Sequence, residues 1–318
     1  MKSYALIGTG ALGGFYGGLL AKAGCDVHFL MRSDVEHVRQ HGLRVDSVNG
    51  DFLLPNVKAY ASVSEMPVCD YVIIALKSTQ NTSLALLLPP LLHSDSHAIV
   101  LQNGLHVEAK TEEIVGKGRV LGGCCFLCSN KVGPGHIRHL DYGNILLGSY
   151  KGPDGNSPNV PDSVIHEIVN DFSKATIPIE ATDNLQRSRW KKLMWNIPFN
   201  GLSVILNAST DAIMNHPASR QLAEQIMRDV RQAAIACGET IPEEHVAQLI
   251  EHTEHMVPYD SSMRLDFLAG RPMEIEAIFS NPIRASQAAG YAAPFIEVLQ
   301  KQLLFLDRTT DSESCETS

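Results

Sequence analysis

Apolar runs and helical stretches alternate through the first half of the chain. The apolar runs that are candidate strands are residues 4–7, 25–30, 72–76, 98–101 and 120–127, and residues 11–23 between the first two have helical spacing. Continuous apolar runs separated by helices are typical of a parallel sheet that is buried on both faces. The pattern therefore predicts an α/β domain built from repeating strand–helix–strand units.

The pattern changes in the second half. Residues 135–148 predict short strands joined by a turn, and residues 151–162 are dense in turn formers and predict a surface loop. A helix at 162–174 and a strand at 177–180 would complete the first domain. Helical patterns then follow at about 187–206, 217–237, 243–254, 273–289 and 293–306. We predict an α/β domain over residues 1–185, an all-α domain over 186–308 and a disordered tail over 309–318.

A glycine motif directly follows the first predicted strand. The segment Gly8-Thr9-Gly10-Ala11-Leu12-Gly13 matches GxGxxG and opens the first helix. In this context Gly8 permits a tight turn, Gly10 lets a pyrophosphate approach the backbone, and Gly13 allows close helix packing. The helix N-terminus adds free N–H groups. The alternative is a glycine-rich turn without a ligand, but the context favours a dinucleotide-binding Rossmann domain.

The end of the second strand indicates which dinucleotide binds. NAD sites place an acidic residue there for the ribose 2′-hydroxyl, whereas this chain has Arg32 followed by Ser33. A guanidinium fork and a hydroxyl suit a 2′-phosphate. Asp34 is close enough to keep NAD(H) open, and a lone surface arginine is a further alternative. NADP(H) is favoured.

The first long helix after residue 186 carries a second polar pattern. Lys192, Asn196 and Asn200 are spaced i, i+4, i+8 and share one face, among largely apolar and aromatic neighbours. A desolvated lysine in a cleft can polarise a carbonyl and deliver a proton. The alternative is a solvated lysine with asparagines that only cap or pack. Pro198 is expected to kink this helix.

Composition narrows the function classes. The 318 residues are 44% hydrophobic and 19% charged, as in a soluble globular protein, and the net charge of −9 argues against nucleic-acid binding. The uncharged N-terminal stretch is followed at once by Lys22, so we expect neither a leader nor a membrane span, and a cytoplasmic protein. The seven cysteines fit a reducing compartment. Cys125 and Cys128 form a single CxxC, which we interpret as part of a buried strand rather than a redox or metal pair.

With these residues in view, the chain resembles the ketopantoate reductase (2-dehydropantoate 2-reductase) family over nearly its whole length. The landmarks that carry the resemblance, in order, are Gly8 to Gly14, Leu30-Met31-Arg32, Ala75-Leu76-Lys77-Ser78, Leu101-Gln102-Asn103-Gly104, Trp190-Lys191-Lys192-Leu193 with Asn196 and Asn200, Ser261-Ser262-Met263, and Glu274-Ile275-Glu276. Single pieces are common, but the ordered set is fairly specific. The resemblance implies a Rossmann domain followed by an all-α domain of the 6-phosphogluconate dehydrogenase-like type.

The resemblance also implies roles for the matching residues. Lys192 would protonate the alkoxide as hydride passes from NADPH, and Glu274 would orient that lysine and hold a substrate hydroxyl. Asn196 and Asn200 would bind the substrate, with Ser262 near its carboxylate. The remaining implied contacts are Asn103 at the junction of nicotinamide and substrate, and Lys77 near the cofactor ribose.

Three departures from the family pattern touch the expected substrate wall. Thr210 stands where an asparagine is common, Asn281-Pro282 replaces Asn-Gly, and Pro198 lies within the catalytic helix. Three hypotheses therefore remain: a ketopantoate reductase of pantothenate biosynthesis, a reductase of another 2-oxo acid, and an NADP(H)-binding regulatory protein without catalysis. We expect a small-molecule substrate and no metal, nucleic-acid or membrane partner. A homodimer is compatible with the sequence, which does not determine the oligomeric state.

Overall fold

The chain divides into two compact units. The structure is a computed structural model that describes residues 2–256 and 260–307. One unit comprises Met1–Asn103 and Val107–Leu185, and the other comprises Gly104–His106 and Gln186–Ser318. The tail predicted over residues 309–318 lies outside the described residues. Within the described ranges, no helix combines the length and the apolar character needed to cross a membrane.

The first unit is built on one mixed sheet. Its strands are β1 (Ser3–Ile7), β2 (Asp26–Leu30), β3 (Leu43–Ser47), β4 (Phe52–Leu54), β5 (Lys58–Tyr60), β6 (Tyr71–Ile74), β7 (His97–Val100), β8 (Val120–Gly133), β9 (His136–Ser149) and β10 (Ile179–Ala181). The order is β4-β3-β9-β8-β7-β6-β1-β2-β5, with β10 paired to β9. The strands β5-β2-β1-β6-β7-β8 are mutually parallel, which confirms the predicted parallel sheet. This is the Rossmann order, and it reverses between β1 and β6.

The far side of the sheet differs from the prediction. Residues 135–148 were expected to form short strands around a turn, but all of them except Gly135 lie in one long strand, β9, which pairs antiparallel with β8. The pairing shifts register three times, for example between Phe126 and Leu127. Tyr142 and Gly143 have φ angles of 59° and 131°. These residues resemble a turn in the sequence, but β-bulges absorb them without ending the strand.

Helices cover this sheet. They are α1 (Ala11–Lys22), α2 (Val35–His41), α3 (Leu84–Leu87), α4 (Ala109–Val115) and α5 (Asp162–Lys174). The core between helices and sheet includes Tyr4, Leu6, Phe29 and Phe172, all at most 1% exposed. Side chains from both faces of the strands are buried, which is why the sequence shows continuous apolar runs there rather than alternation.

The second unit is helical in its described residues. Its helices are α6 (Leu185–Ile205), α7 (Thr210–Asn215), α8 (Pro217–Ala236), α9 (Glu244–Glu254), α10 (Ser262–Leu268), a π-helical turn (Glu276–Ser280), α11 (Asn281–Ala288) and α12 (Pro294–Leu306). The five predicted helices are present, and the short α7 and α10 are additional. Trp190, Ile197, Phe199 and Phe279 are fully buried in its core. Helix α6 continues through Pro198.

Candidate active site

The predicted cofactor residues of the first unit follow neighbouring strands at one edge of the sheet. The parallel register aligns Ile7 with Leu30 and with Ile74, and Ile74 with Val100. The residues that follow these strand ends are the glycine turn after β1, Arg32 after β2, Lys77 after β6 and Asn103 after β7. The carboxyl edge of a parallel sheet, where the strand order reverses, is the usual ligand site of such folds. The topology therefore brings all four segments to one edge.

The three motif glycines have different local reasons. Gly8 has a φ of +98°, and a Cβ built on it would lie 2.5 Å from the Leu76 nitrogen. A Cβ on Gly13 would lie 2.2 Å from the carbonyl oxygen of Gly8. Gly10 is different, because no atom lies within 4 Å of the position its Cβ would take. Gly8 and Gly13 are thus needed for packing, whereas Gly10 leaves open space at the start of α1 that fits a dinucleotide pyrophosphate.

The rest of the motif is tied to the neighbouring strand. The Thr9 hydroxyl donates to the carbonyl of Leu30, at 3.0 Å, and so links the glycine turn to the end of β2. Ala11 and Leu12 form the first turn of α1 and are half-buried. This bond fixes the distance between the glycine turn and the strand end that precedes Arg32.

Arg32 and Asp34 have contrasting surroundings. Arg32 is exposed and has no hydrogen-bond or ion-pair partner among the residues that the structure describes. Asp34 is 7% exposed and accepts hydrogen bonds from the Ser33 hydroxyl and the Gly135 N–H, and it pairs with Lys131. Burial alone would raise the pKa of Asp34, but these donors hold it below its ordinary value. The acidic residue that kept NAD(H) open is therefore engaged, while the guanidinium is available.

A buried glutamine organises the loops after β6 and β7. The Gln102 amide donates to the carbonyl of Leu76, at 3.0 Å, and to the side chain of Asn81, at 2.6 Å. It thereby holds the segment that carries Lys77 against the segment that carries Asn103, and both of these residues are half-buried. Sequence reasoning quoted Gln102 only as part of a motif and missed this role, although a buried glutamine at a strand end is itself a signal.

Gly104 explains the Asn-Gly pair that ends this motif. It has a φ of +109°, and a Cβ on it would lie 2.5 Å from the carbonyl oxygen of Ala277. Within the second unit, the next N–H, of Leu105, donates to that same carbonyl at 2.9 Å. The amide of Asn281 donates to the Leu105 carbonyl at 2.6 Å. Asn281, which departs from the family pattern in the residue that follows it, thus secures the backbone just after Asn103.

The polar face of α6 has the properties expected of a ligand-binding surface. Lys192 is half-buried, and Asn196 and Asn200 are 6% and 3% exposed. Neither asparagine amide has a hydrogen-bond partner among the described residues. Neither amide belongs to the fully buried polar atoms that lack a partner in the described ranges, so this face carries no penalty for unpaired burial. Two amides without a partner among the described residues, one turn apart and beside a lysine, give this face donors and acceptors that a polar ligand can use.

The segment before α10 is attached to the same helix. The Ser261 hydroxyl bonds with the Ser203 hydroxyl at 2.7 Å, and Ser203 donates to the backbone carbonyl of Asn200. Ser261 also caps α10 by accepting from the Arg264 N–H. These contacts place the half-buried Ser262 near the end of the α6 polar face. Sequence reasoning named Ser262 but missed the Ser203–Ser261 pair that positions it.

Glu274 lies at the start of the helical segment that contains the π-helical turn. It is 4% exposed, and its carbonyl accepts from the Ile278 N–H. π-Helical turns are rare and are often found at functional sites.

The CxxC pair lies in strand β8. Cys125 and Cys128 are 3% and 7% exposed, and neither forms a disulfide. Burial raises the pKa of the Cys128 thiol to about 12. A buried thiol with a raised pKa is a poor nucleophile, in keeping with a packing role.

A Rossmann sheet with open space at its glycine turn, in a chain that also has a lysine–asparagine face on a long helix, is typical of nucleotide-dependent oxidoreductases. Comparison with known proteins narrows this class. The family model described as "Ketopantoate reductase PanE/ApbA" matches residues 4–152, and "Ketopantoate reductase PanE/ApbA C terminal" matches residues 184–306. The chain therefore belongs to the ketopantoate reductase family, as the resemblance indicated, and is an oxidoreductase acting on CH–OH groups.

Individual relatives agree with this assignment. A 2-dehydropantoate 2-reductase from Nostoc sp. is 50% identical over 306 residues, which cover 96% of this chain and 95% of that protein. The crystal structure of 2-dehydropantoate 2-reductase from Geobacter metallireducens is 40% identical, covers 95% of this chain and 98% of its own, and has a TM-score of 0.91. The enzyme of the same name from Methylococcus capsulatus is 32% identical, covers 97% and 98%, and has a TM-score of 0.85.

Proposed function

We propose that this protein catalyses the NADPH-dependent reduction of 2-dehydropantoate (ketopantoate) to pantoate. The observation that carries the proposal is the pair of amides of Asn196 and Asn200, which have no partner among the described residues, on the face that presents Lys192. They occur in a chain that is 50% identical to a protein named 2-dehydropantoate 2-reductase. A small substrate with carbonyl, hydroxyl and carboxylate groups would satisfy the amides.

The glycine turn and Arg32 would hold the cofactor. The open space at Gly10 admits the pyrophosphate to the backbone N–H groups of Ala11 and Leu12, and the partnerless Arg32 suits a 2′-phosphate. Lys77 would lie near the ribose and Asn103 beside the nicotinamide. When bound, the reduced nicotinamide supplies a hydride to the ketone carbon of the substrate.

The second unit would supply the proton and orient the substrate. Lys192 Nζ donates a proton to the ketone oxygen as negative charge develops there, so that the C=O bond becomes CH–OH. Glu274 orients the ammonium group and accepts a hydrogen bond from the substrate hydroxyl. Asn196 and Asn200 hydrogen-bond the substrate, and the Ser262 hydroxyl binds its carboxylate.

The test is NADPH oxidation by the purified protein with ketopantoate and with a panel of other 2-oxo acids. Lys192→Ala should lower kcat by about 10²-fold or more while leaving NADPH binding intact. Lys191→Ala is the matched control, because Lys191 is an equally half-buried lysine one position earlier on α6 and points to a different face. Its activity should remain near wild type.

Each outcome discriminates between the hypotheses. Turnover of ketopantoate that depends on Lys192 supports the proposal. Turnover of a different acid would retain the mechanism and replace the substrate. Tight NADPH binding without turnover of any acid would contradict catalysis and favour a regulatory NADP(H)-binding protein.

A further inference from the structure

Two opposite charges lie two residues apart where β2 leads into α2. Arg32 is exposed and has no partner within the described ranges, whereas Asp34 is 7% exposed. At the end of this strand, a free carboxylate would accept hydrogen bonds from a ribose 2′-hydroxyl, as in NAD sites. It would also repel a phosphate on the same atom and compete for Arg32. The state of Asp34 therefore bears directly on which cofactor the site accepts.

The tip of the β8–β9 hairpin holds this carboxylate. Lys131 Nζ lies 2.6 Å from Asp34 Oδ2, and the Gly135 N–H donates to the same oxygen at 2.8 Å. The Ser33 hydroxyl donates to Oδ1, also at 2.8 Å. Both carboxylate oxygens are thus bonded to groups other than Arg32.

The hairpin tip is itself fixed. The carbonyl of Gly135 accepts from the Arg44 N–H at 2.8 Å, which attaches the tip to β3. Gly135 has a φ of +58°, and a Cβ on it would lie 2.7 Å from the Val38 side chain on α2. A register shift between Lys131 and Gly133 alters the direction of the strand next to Lys131. The tip is therefore packed against both neighbours and can hold Asp34 in one position.

We propose that Lys131 is a positioning residue that determines cofactor specificity through Asp34. By neutralising the Asp34 carboxylate and keeping it bonded to the hairpin, Lys131 leaves Arg32 free for a 2′-phosphate and denies the ribose 2′-hydroxyl an acceptor. The inference rests on the proposed use of NADP(H). It extends that proposal, because it assigns the selectivity to Lys131, which is far from Arg32 and Asp34 along the chain.

The test is the affinity of the full-length protein for 2′,5′-ADP and for 5′-AMP, measured by calorimetry. Wild type should prefer 2′,5′-ADP, and Lys131→Met should reduce that preference by about tenfold, because an uncompensated carboxylate then faces the phosphate. Lys131→Arg should restore it. In an Asp34→Asn background the same Lys131→Met change should have little effect, since the charge that Lys131 neutralises is gone.

A second lysine–aspartate ion pair, away from Arg32, provides the matched control. Lys58 Nζ lies 2.6 Å from Asp26 Oδ1, at the opposite end of β2. Lys58→Met removes a pair of the same length and should leave the preference for 2′,5′-ADP unchanged. Asp34→Asn alone covers the case in which Lys131→Met does not fold. It should keep or increase the preference, and a decrease would overturn the inference.

The remaining outcomes separate this inference from the proposed function. A wild-type preference that Lys131→Met does not alter overturns the inference and leaves the use of NADP(H) standing. If Lys131→Met lowers the preference for 2′,5′-ADP equally in the wild type and in the Asp34→Asn background, the inference is also overturned, because Lys131 would then contact the phosphate directly. If the wild-type protein binds 2′,5′-ADP and 5′-AMP equally well, both the proposed use of NADP(H) and the proposed role of Lys131 are contradicted.

Discussion

Gly10→Ala is expected to separate cofactor binding from folding, and Gly13→Ala is its matched contrast. Both glycines belong to the same motif and both changes add one methyl group. A Cβ on Gly10 would meet no atom within 4 Å, and the φ of −90° at Gly10 is accessible to alanine. A Cβ on Gly13 would lie 2.2 Å from the backbone oxygen of Gly8, which cannot move without opening the turn.

The two free energies can be worked from these distances. At Gly10, the smaller entropy of the unfolded chain stabilises by about 0.4–1 kcal/mol, and the poorer N-cap residue costs a similar amount, so stability should change by less than about 1 kcal/mol. The methyl group occupies the space of the pyrophosphate, and affinity should fall by about 10- to 100-fold. At Gly13, overpacking against backbone should cost about 3 kcal/mol, or roughly 10 °C in Tm.

The assay pairs thermal unfolding without ligand with NADPH fluorescence titration. Gly10→Ala should have the Tm of the wild type but bind NADPH weakly, whereas Gly13→Ala should have a lower Tm than the wild type. If Gly10→Ala bound NADPH with wild-type affinity, the open space above Gly10 would not be the pyrophosphate site. If Gly13→Ala melted with wild type, the close approach of α1 to the turn would be wrong.

Three further predictions concern other parts of the chain. Asn200→Leu should change the free energy of unfolding in urea by less than about 1 kcal/mol, since its amide has no partner to lose among the described residues, while kcat/KM falls at least tenfold; a larger destabilisation would indicate that the amide has a structural partner. The pKa of Asp34 is lower in the folded protein than in the unfolded chain. The ionised carboxylate therefore adds to the free energy of unfolding above about pH 4, and this contribution is lost as the pH falls through the folded pKa. Urea midpoints of Asp34→Asn should therefore decline less than those of wild type on acidification below pH 4, and parallel curves would contradict this. Burial and a thiol pKa of about 12 should protect Cys128 from iodoacetamide in native protein at pH 8, measured by peptide mass spectrometry, and rapid native labelling would refute the assignment to a packed strand.

The sequence predicts those elements whose burial produces a regular pattern of hydrophobic residues. Residues 72–76 and 98–101 are apolar throughout because parallel strands in this sheet are covered on both faces, and β6 and β7 lie there. The prediction of a turn within β9 was wrong because a β-bulge accommodates Tyr142 and Gly143, both of which have positive φ angles. In the sequence, the segment Asp141-Tyr142-Gly143-Asn144 has the composition of a turn. Helices α7 and α10 are too short, at 6 and 7 residues, to show a helical period.

The candidate site was predictable only where it is local. The glycine motif and Arg32 lie next to strand ends, and strand order then brings them to one edge of the sheet. The bond between Asp34 and Gly135 joins residues 101 positions apart, so no short-range pattern announces it. For the same reason the sequence made Asp34 an argument for NAD(H), although the folded chain engages its carboxylate on three sides.

The absence of a protein partner is the criterion that most changes the interpretation of the polar residues on α6. From spacing alone, the face of Lys192, Asn196 and Asn200 is equally compatible with a solvated lysine and packing amides. A packing amide in a core is hydrogen-bonded almost without exception, since leaving it unpaired costs more than the packing returns. Neither amide is paired within the described residues, and neither belongs to their fully buried unpaired atoms, which favours a face open to a ligand over internal packing. For Arg32, the absence of a partner does not distinguish a cofactor-binding residue from an ordinary surface arginine, because surface arginines are often unpaired. The preference for NADP(H) is instead supported by the carboxylate of Asp34, which is bonded to Lys131 and Gly135.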